Sequence, residues 1–391
     1  MAAERRIDAD ALVAAAREAT GLDDFGADTW REGLDRLVDA LDAEARLNDI
    51  GVQIASGEIL MYLTNRLRIV DWHARHPSAR AEDVTPPIVI VGQGRTGTTI
   101  LHDLLAQDPA HRVPLTWEVD RPLPPPESVT YDSDPRIDEV QAQLDMTELI
   151  IPRFKSIHPI GARLAQECVR ITAHDFRSMI FPTQYRVPSY ARWVLTEADM
   201  APAYRWHRTF LQLLQSGHRC ERWVLKSPGH VWCLDRLLAE YPNALLMQTH
   251  RDPLRIVASL ASLLATLRRL ASDDVSLEEG AAEFADYVLD GLDRSVTVRE
   301  QGLVPAERVV DVQFRDFMAD PLATVRAIYA RLDLELTGEA ETRMRAFLAE
   351  NPQDKHGLHQ YALDDTGLDR GALRERARRY QQYFDVPSES V

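Results

Sequence analysis

Cysteine is scarce: only Cys168, Cys220 and Cys233 occur in 391 residues. An odd number without metal-type spacing speaks against a disulfide framework, and reduced thiols in a cytoplasmic protein are expected. Positive charge is also short. Lysine and arginine number 45 against 61 aspartates and glutamates, giving a formal net charge of −16. A nucleic-acid partner is therefore not expected, because it would need a concentrated basic face. Any anionic ligand must be held by a local basic pocket. The longest apolar runs are strand-sized, so no transmembrane helix is expected. Met1 to Arg6 leads into acid-bearing sequence and not into an apolar core, so no signal peptide is expected either. Repeats, low-complexity segments and a His/Cys/Asp cluster suited to a metal are all missing.

The most informative absence is a single lysine. Ile88-Val89-Ile90-Val91 is a β-branched run of the kind that forms a buried parallel strand, and it breaks at Gly92. Gly92-Gln93-Gly94-Arg95-Thr96-Gly97-Thr98-Thr99 then follows the spacing of the triphosphate loop G-x-x-x-x-G-K-[ST], except that Thr98 stands where lysine reaches the β/γ-phosphates. The glycines let backbone N–H groups turn inward, and the helix opened by Thr98 and Thr99 aims its positive end at the same point. The phosphate cradle is present without the NTPase cation. A phosphate ligand with no γ-phosphate to transfer is expected.

Strands are expected at 88–91, from Val113 to Glu118, at Arg222–Lys226, from Ala244 to His250, and from Arg308 to Gln313. Helices are expected at 98–107, 230–240, from Pro253 onward and at 321–333. Strands separated by helical crossovers predict a P-loop-type three-layer α/β fold, with a central parallel sheet flanked by helices. Residues 1–85 form an N-terminal helical extension in this reading. Residues 86–391 form the α/β domain, with a proline-broken helical insertion at 120–215 on the acceptor side.

A second signal lies at the end of the fourth strand. Asp252 can cap a helix whose first residue is Pro253, which leaves Arg251 at the carboxyl edge of the sheet, where α/β folds place ligands; Ser259 follows two turns along. Alone, Arg251 would read as a local salt bridge and Ser259 as packing. Together, Gly94-Arg95-Thr96-Gly97-Thr98-Thr99 and Arg251 with Ser259 resemble the sulfotransferases that use 3′-phosphoadenosine-5′-phosphosulfate (PAPS). Trp117-Glu118, Lys226-Ser227-Pro228-Gly229-His230, the segment from Phe314 to Pro321, and His359-Gln360-Tyr361 are similar to the bacterial-type branch. The resemblance spans about residues 86 to 385, and is weak from 120 to 215.

This resemblance implies a metal-independent transfer of a sulfuryl group from PAPS to a hydroxyl or amine, with 3′-phosphoadenosine-5′-phosphate (PAP) as product. Arg95 and the loop would hold the 5′-phosphate, and Arg251 and Ser259 the 3′-phosphate. Lys226 would neutralise charge on the bridging oxygen. The acceptor must lose a proton, so a base is required; Glu118 is the first candidate and His230 the second, followed by His174 and His158. Lys355-His356-Gly357 falls where the family has a cofactor-closing loop, although it departs from the usual Arg-Lys-Gly form.

A degenerate P-loop kinase or NTPase is the alternative, disfavoured by Thr98 and by the want of a Walker-B aspartate. A scaffold that has lost catalysis is a third reading. Phe154, Phe176, Phe181, Tyr185, Tyr190 and Trp193 suit either an apolar acceptor pocket or a core. The acceptor is a small molecule, lipid or carbohydrate that the sequence does not name, and whether the chain forms a homo-oligomer is left open.

Overall fold

β1 (Ile88–Val91) is the middle strand of a five-stranded parallel sheet. The others are β2 (His111–Arg112), β3 (Arg222–Lys226), β4 (Leu245–His250) and β5 (Val309–Gln313), in the spatial order β2-β3-β1-β4-β5. The structure is a computed structural model that describes residues 6–150, 161–352 and 362–390. All four residues of β1 are fully buried, which is why its sequence is an unbroken apolar run and not an alternating one. One face of the sheet packs Ile88, Ile90, Val224 and Met247 against Leu101, Leu104 and Leu105 of the helix Thr98–Leu105, and against Phe317 and Ile328. The other face packs Val89, Val91, Leu225 and Leu246 against Phe210, Leu211 and Leu214 of the helix Ala201–Gln215. This is the three-layer architecture expected.

Register decides where the chemistry sits. Ile90 lies opposite Lys226 on β3, and Val91 opposite Gln248 on β4. Lys226 is thereby level with the end of β1, where the glycine loop departs. β4 runs on to His250, so Arg251 emerges at the same carboxyl edge.

The helices Ala9–Thr20, Thr29–Glu44 and Asp49–Arg75 share one core with the insertion. Leu34, Leu37, Tyr62 and Leu63 meet Phe176, Phe181, Tyr185, Tyr190 and Trp193, all buried. Phe176, Phe181 and Tyr190 contact Trp30, Tyr62 and one another at ring separations of 5.8–6.5 Å. The aromatic set is therefore core. Phe154 lies outside the described residues.

One expected element differs. Val113 to Glu118 is not a strand: pairing with β3 stops at Arg112, and Thr116–Asp120 is a short helix. Pro114 has no N–H for a ladder. The Glu118 carboxylate accepts from the Leu115 N–H at 2.8 Å, and Trp117 N–H donates to the Ala162 carbonyl at 3.0 Å. The expected helix 230–240 likewise divides into a 3₁₀ turn, Pro228–Trp232, and the helix Leu234–Glu240. Cys168 and Cys233 are buried and Cys220 is half-buried, all as free thiols. Among the described residues, no helix is long and apolar enough to cross a membrane.

Candidate active site

The loop after β1 is built on two glycines that no other residue could replace freely. Gly92 has φ 148°, and a Cβ there would lie 2.2 Å from Thr249 Oγ1. Gly97 has φ 85° and occupies the N-cap of the helix Thr98–Leu105 without a capping side chain. The N–H groups of that first turn are therefore left for an anion. Thr96 ties the loop down: its hydroxyl donates to the Gln93 carbonyl at 2.7 Å and shares a 2.6 Å hydrogen bond with Thr249 Oγ1. Arg95 is a non-glycine residue at φ 71°, a strained conformation of the kind that clusters at ligand clamps.

Arg95, Ser259 and Arg251, widely separated in sequence, meet at one point. Arg95 Nε donates to Ser259 Oγ at 2.9 Å, and Arg251 Nη1 donates to the Arg95 carbonyl at 2.9 Å. The Arg95 guanidinium thus links the loop to Ser259 on the neighbouring helix. Asp252 caps the helix Pro253–Arg268 as expected, accepting from Leu254 N–H at 3.0 Å, and is itself gripped by Arg374 at 2.7 and 3.0 Å. The Arg251 guanidinium lies 3.9 Å from the centroid of Phe314, and a Cβ on Gly97 would meet that ring at 3.2 Å. A cavity of about 290 Å³ opens here, lined by Arg251, Phe314, Arg315, Met318 and the segment from Val386 to Glu389.

Lys226 is 2% exposed. Its Nζ donates to Thr99 Oγ1 at 3.4 Å and forms an ion pair with Glu167. Glu167 was not among the expected site residues. It precedes the helix Cys168–Thr172, in the stretch where the sequence offers no periodicity, and no local signal marks it. Asp103, on the loop helix, has its carboxyl pushed up to about 6 by burial, against the pull of Lys226.

The two bases expected from sequence stand differently. Glu118 is 0% exposed, ion-paired to Arg112 and bonded to Leu115 N–H, so both oxygens are engaged. Arg112 also donates to the Leu214 carbonyl at 3.0 Å and lies 4.5 Å from the Trp223 ring. This geometry makes Glu118 a buried anchor between the β2 edge and the helix that follows. His230 Nδ1 shares a 2.8 Å hydrogen bond with Tyr204, while Nε2 is buried without a partner; the residue lines a cavity of about 20 Å³ with Ser227, Val169, Met179 and Leu195. Burial pushes its imidazole down to about 3. His174 is packed between Tyr62 and Phe210 in the core. His158, Lys355, His356, Gly357, His359 and Tyr361 lie outside the described residues. A larger groove of about 760 Å³, lined by Trp232, Asp286, Asp290, Asp293 and Arg376, contains none of the loop residues. Its charges pair across helices, as in Arg376 with Asp286. The loop edge of the sheet is where Arg95, Ser259, Arg251 and the open helix N-terminus converge.

The loop lacks the triphosphate-loop lysine, and a buried lysine reaches its helix from the neighbouring strand instead. The family model for sulfotransferases matches residues 86–338, and the chain belongs to that family. It is similar over its full length to the crystal structure of sulfotransferase STF9 from Mycobacterium avium, at 32% identity and a TM-score of 0.90, covering all of both chains. Sulfotransferase STF1 from Mycobacterium tuberculosis H37Rv is 33% identical with a TM-score of 0.84, over 95% of this chain and 98% of that one. Omega-hydroxy-beta-dihydromenaquinone-9 sulfotransferase Stf3 of Mycobacterium tuberculosis is 26% identical over 297 residues, 72% of each chain.

Proposed function

We propose that this sulfotransferase uses PAPS as donor and a hydroxyl-bearing small molecule, lipid or carbohydrate as acceptor, in the cytoplasm. The observation that carries the donor reading is the convergence of Arg95, Ser259 and Arg251 beside an uncapped helix N-terminus. Such a site offers two separate anion positions, which suits a nucleotide with phosphates on both 5′ and 3′ carbons. The donor fits the residues present. Gly94, Arg95, Thr96, Gly97, Thr98 and Thr99 would surround the 5′-phosphosulfate, Arg251 and Ser259 the 3′-phosphate, and Phe314 would flank the nucleoside. Lys355, His356 and Gly357 would form a closing segment, as the resemblance implies.

PAPS would supply an activated S–O bond whose leaving group is the 5′-phosphate of PAP. Lys226, set between Thr99 and Glu167, would neutralise the charge that gathers on the bridging oxygen as that bond breaks. Glu167 would take the proton from the acceptor oxygen as it attacks sulfur, because its partner Lys226 marks the place of transfer. Glu118, whose oxygens are both committed, positions the short helix it caps. His230, neutral and with Nε2 unpartnered beside a small cavity that the residue lines, is the second candidate base or a group that orients the acceptor. The kinase alternative is not favoured, since Thr98 is buried where a phosphate-reaching lysine would be needed.

The test is single-turnover transfer from ³⁵S-labelled PAPS to a panel of hydroxyl acceptors. Label in an acceptor with stoichiometric PAP release, abolished in Lys226→Ala, supports the reading. Transfer that survives Lys226→Ala overturns the role given to that residue, and no label transferred to any acceptor overturns the donor.

A further inference from the structure

The segment after the helix Arg370–Tyr383 returns to the site. Glu389 forms a two-point ion pair with Arg251, Nε to Oε1 at 3.0 Å and Nη2 to Oε2 at 3.1 Å. Arg255 Nε lies 3.6 Å from Oε2. The Glu389 N–H donates to Asp252 Oδ2 at 2.7 Å, which fixes its backbone to the helix cap behind Arg251. The approach is anchored one turn earlier. Val386 is buried, its N–H donates to the Gln381 carbonyl at 2.9 Å, and its carbonyl accepts from Gln381 Nε2 at 3.1 Å. Pro387 and Ser388 alone separate that anchor from Glu389.

A carboxylate held by both forks of an arginine occupies the geometry that a phosphate oxygen pair would take. We propose that Glu389 is an internal competitor for the donor's 3′-phosphate: its carboxylate holds Arg251 when the site lacks donor and must leave when PAPS or PAP binds. This rests on the donor reading above. Glu389 takes the Nε/Nη2 edge of Arg251, while Nη1 donates to the Arg95 carbonyl and one face lies on Phe314. A phosphate that grips Arg251 by this same two-point edge must therefore displace Glu389. The pair is partly exposed, with the Arg251 side chain 11% and the Glu389 side chain 32% accessible, so its loss is a modest penalty that a phosphate carrying nearly two charges overcomes. The consequence is a threshold: a singly charged anion displaces Glu389 poorly, and a nucleotide without a 3′-phosphate gains nothing from displacing it.

The experiment is calorimetric titration of PAP and of adenosine 5′-phosphate into the wild type, Glu389→Gln, Arg251→Ala and the double variant, with thermal melts to confirm folding. Glu389→Gln is expected to bind PAP roughly fivefold more tightly, the inverse of an exposed ion pair's strength. Adenosine 5′-phosphate affinity is expected to stay the same, and the gain to vanish when Arg251 is absent. Unchanged or weaker PAP binding in Glu389→Gln, with PAP still lost in Arg251→Ala, overturns this proposal and leaves the donor reading intact. PAP binding no better than adenosine 5′-phosphate in every protein overturns the donor reading, and the competitor with it.

Discussion

Lys226 and Glu167, 59 residues apart in sequence, form an ion pair at the carboxyl edge of the sheet, with the lysine also bonded to Thr99 of the loop helix. One residue comes from a strand end and the other from the loop before a short helix of the insertion. The pair joins the loop helix to the segment that precedes the helix Cys168–Thr172. Replacing Glu167 by Gln removes the proposed base while keeping a hydrogen-bonding partner for Lys226. The turnover number is expected to fall roughly a hundred- to ten-thousandfold, with PAP affinity unchanged within about twofold. Stopped-flow transfer rates beside calorimetry check this; an unaltered rate would remove Glu167 from the chemistry.

Glu118→Ala is expected to act on stability. It would leave the Arg112 guanidinium buried among Trp223 and the Leu214 carbonyl without its counter-charge, a loss of about 3–5 kcal/mol by analogy with other broken buried pairs. Urea denaturation measures this. If Glu118→Ala kept its denaturation midpoint and lost transfer selectively, the catalytic role would return to Glu118.

Gly92→Ala is expected to weaken PAP binding at least about tenfold, since the positive φ alone costs on the order of 1–3 kcal/mol. The new Cβ would also press on Thr249 Oγ1, which holds Thr96. Titration of the folded variant reads the effect directly. Wild-type affinity would show that the loop does not hold the ligand.

Stability should fall in mild acid. Burial pushes the imidazoles of His102, His174, His207 and His230 each to about 3. The unfolded chain takes up those protons near the ordinary value of 6.5, so between about 6.5 and 3 it binds more protons than the folded chain. This contribution is therefore complete above pH 6.5 and lost progressively below it. Urea midpoints should be level from pH 8 to 7 and drop by pH 5. A midpoint as high at pH 5 as at pH 8 would contradict the burial of these rings as neutral groups.

What the sequence made legible was local. The β-branched run at 88–91, the loop glycines, and Asp252-Pro253 opening a helix each carry their structural reason within a few residues, and all are where expected. Val113, Leu115 and Trp117 alternate like a strand, but Pro114 and the Glu118 cap turn them into a helix entrance. Glu118 is a candidate base on resemblance, and the sequence does not reveal that Arg112 lies against it. Glu167 and Glu389 had no signal at all. Each is a lone carboxylate whose meaning comes from an arginine or lysine brought to it by strand register or by the return of a distant segment. The aromatic set from Phe176 to Trp193 suited a pocket or a core equally until the N-terminal helices were seen to cover it.

The loop, Arg251 and Ser259 are expected to bind a 3′-phosphorylated adenosine nucleotide. Calorimetric titration with PAP, adenosine 5′-phosphate and ATP·Mg²⁺ tests it most directly. PAP is expected to bind tightly and the other two weakly, with PAP affinity lost in Arg251→Ala. A preference for ATP·Mg²⁺ that ignores the 3′-phosphate would contradict the claim and return the loop to nucleotide hydrolysis or phosphoryl transfer.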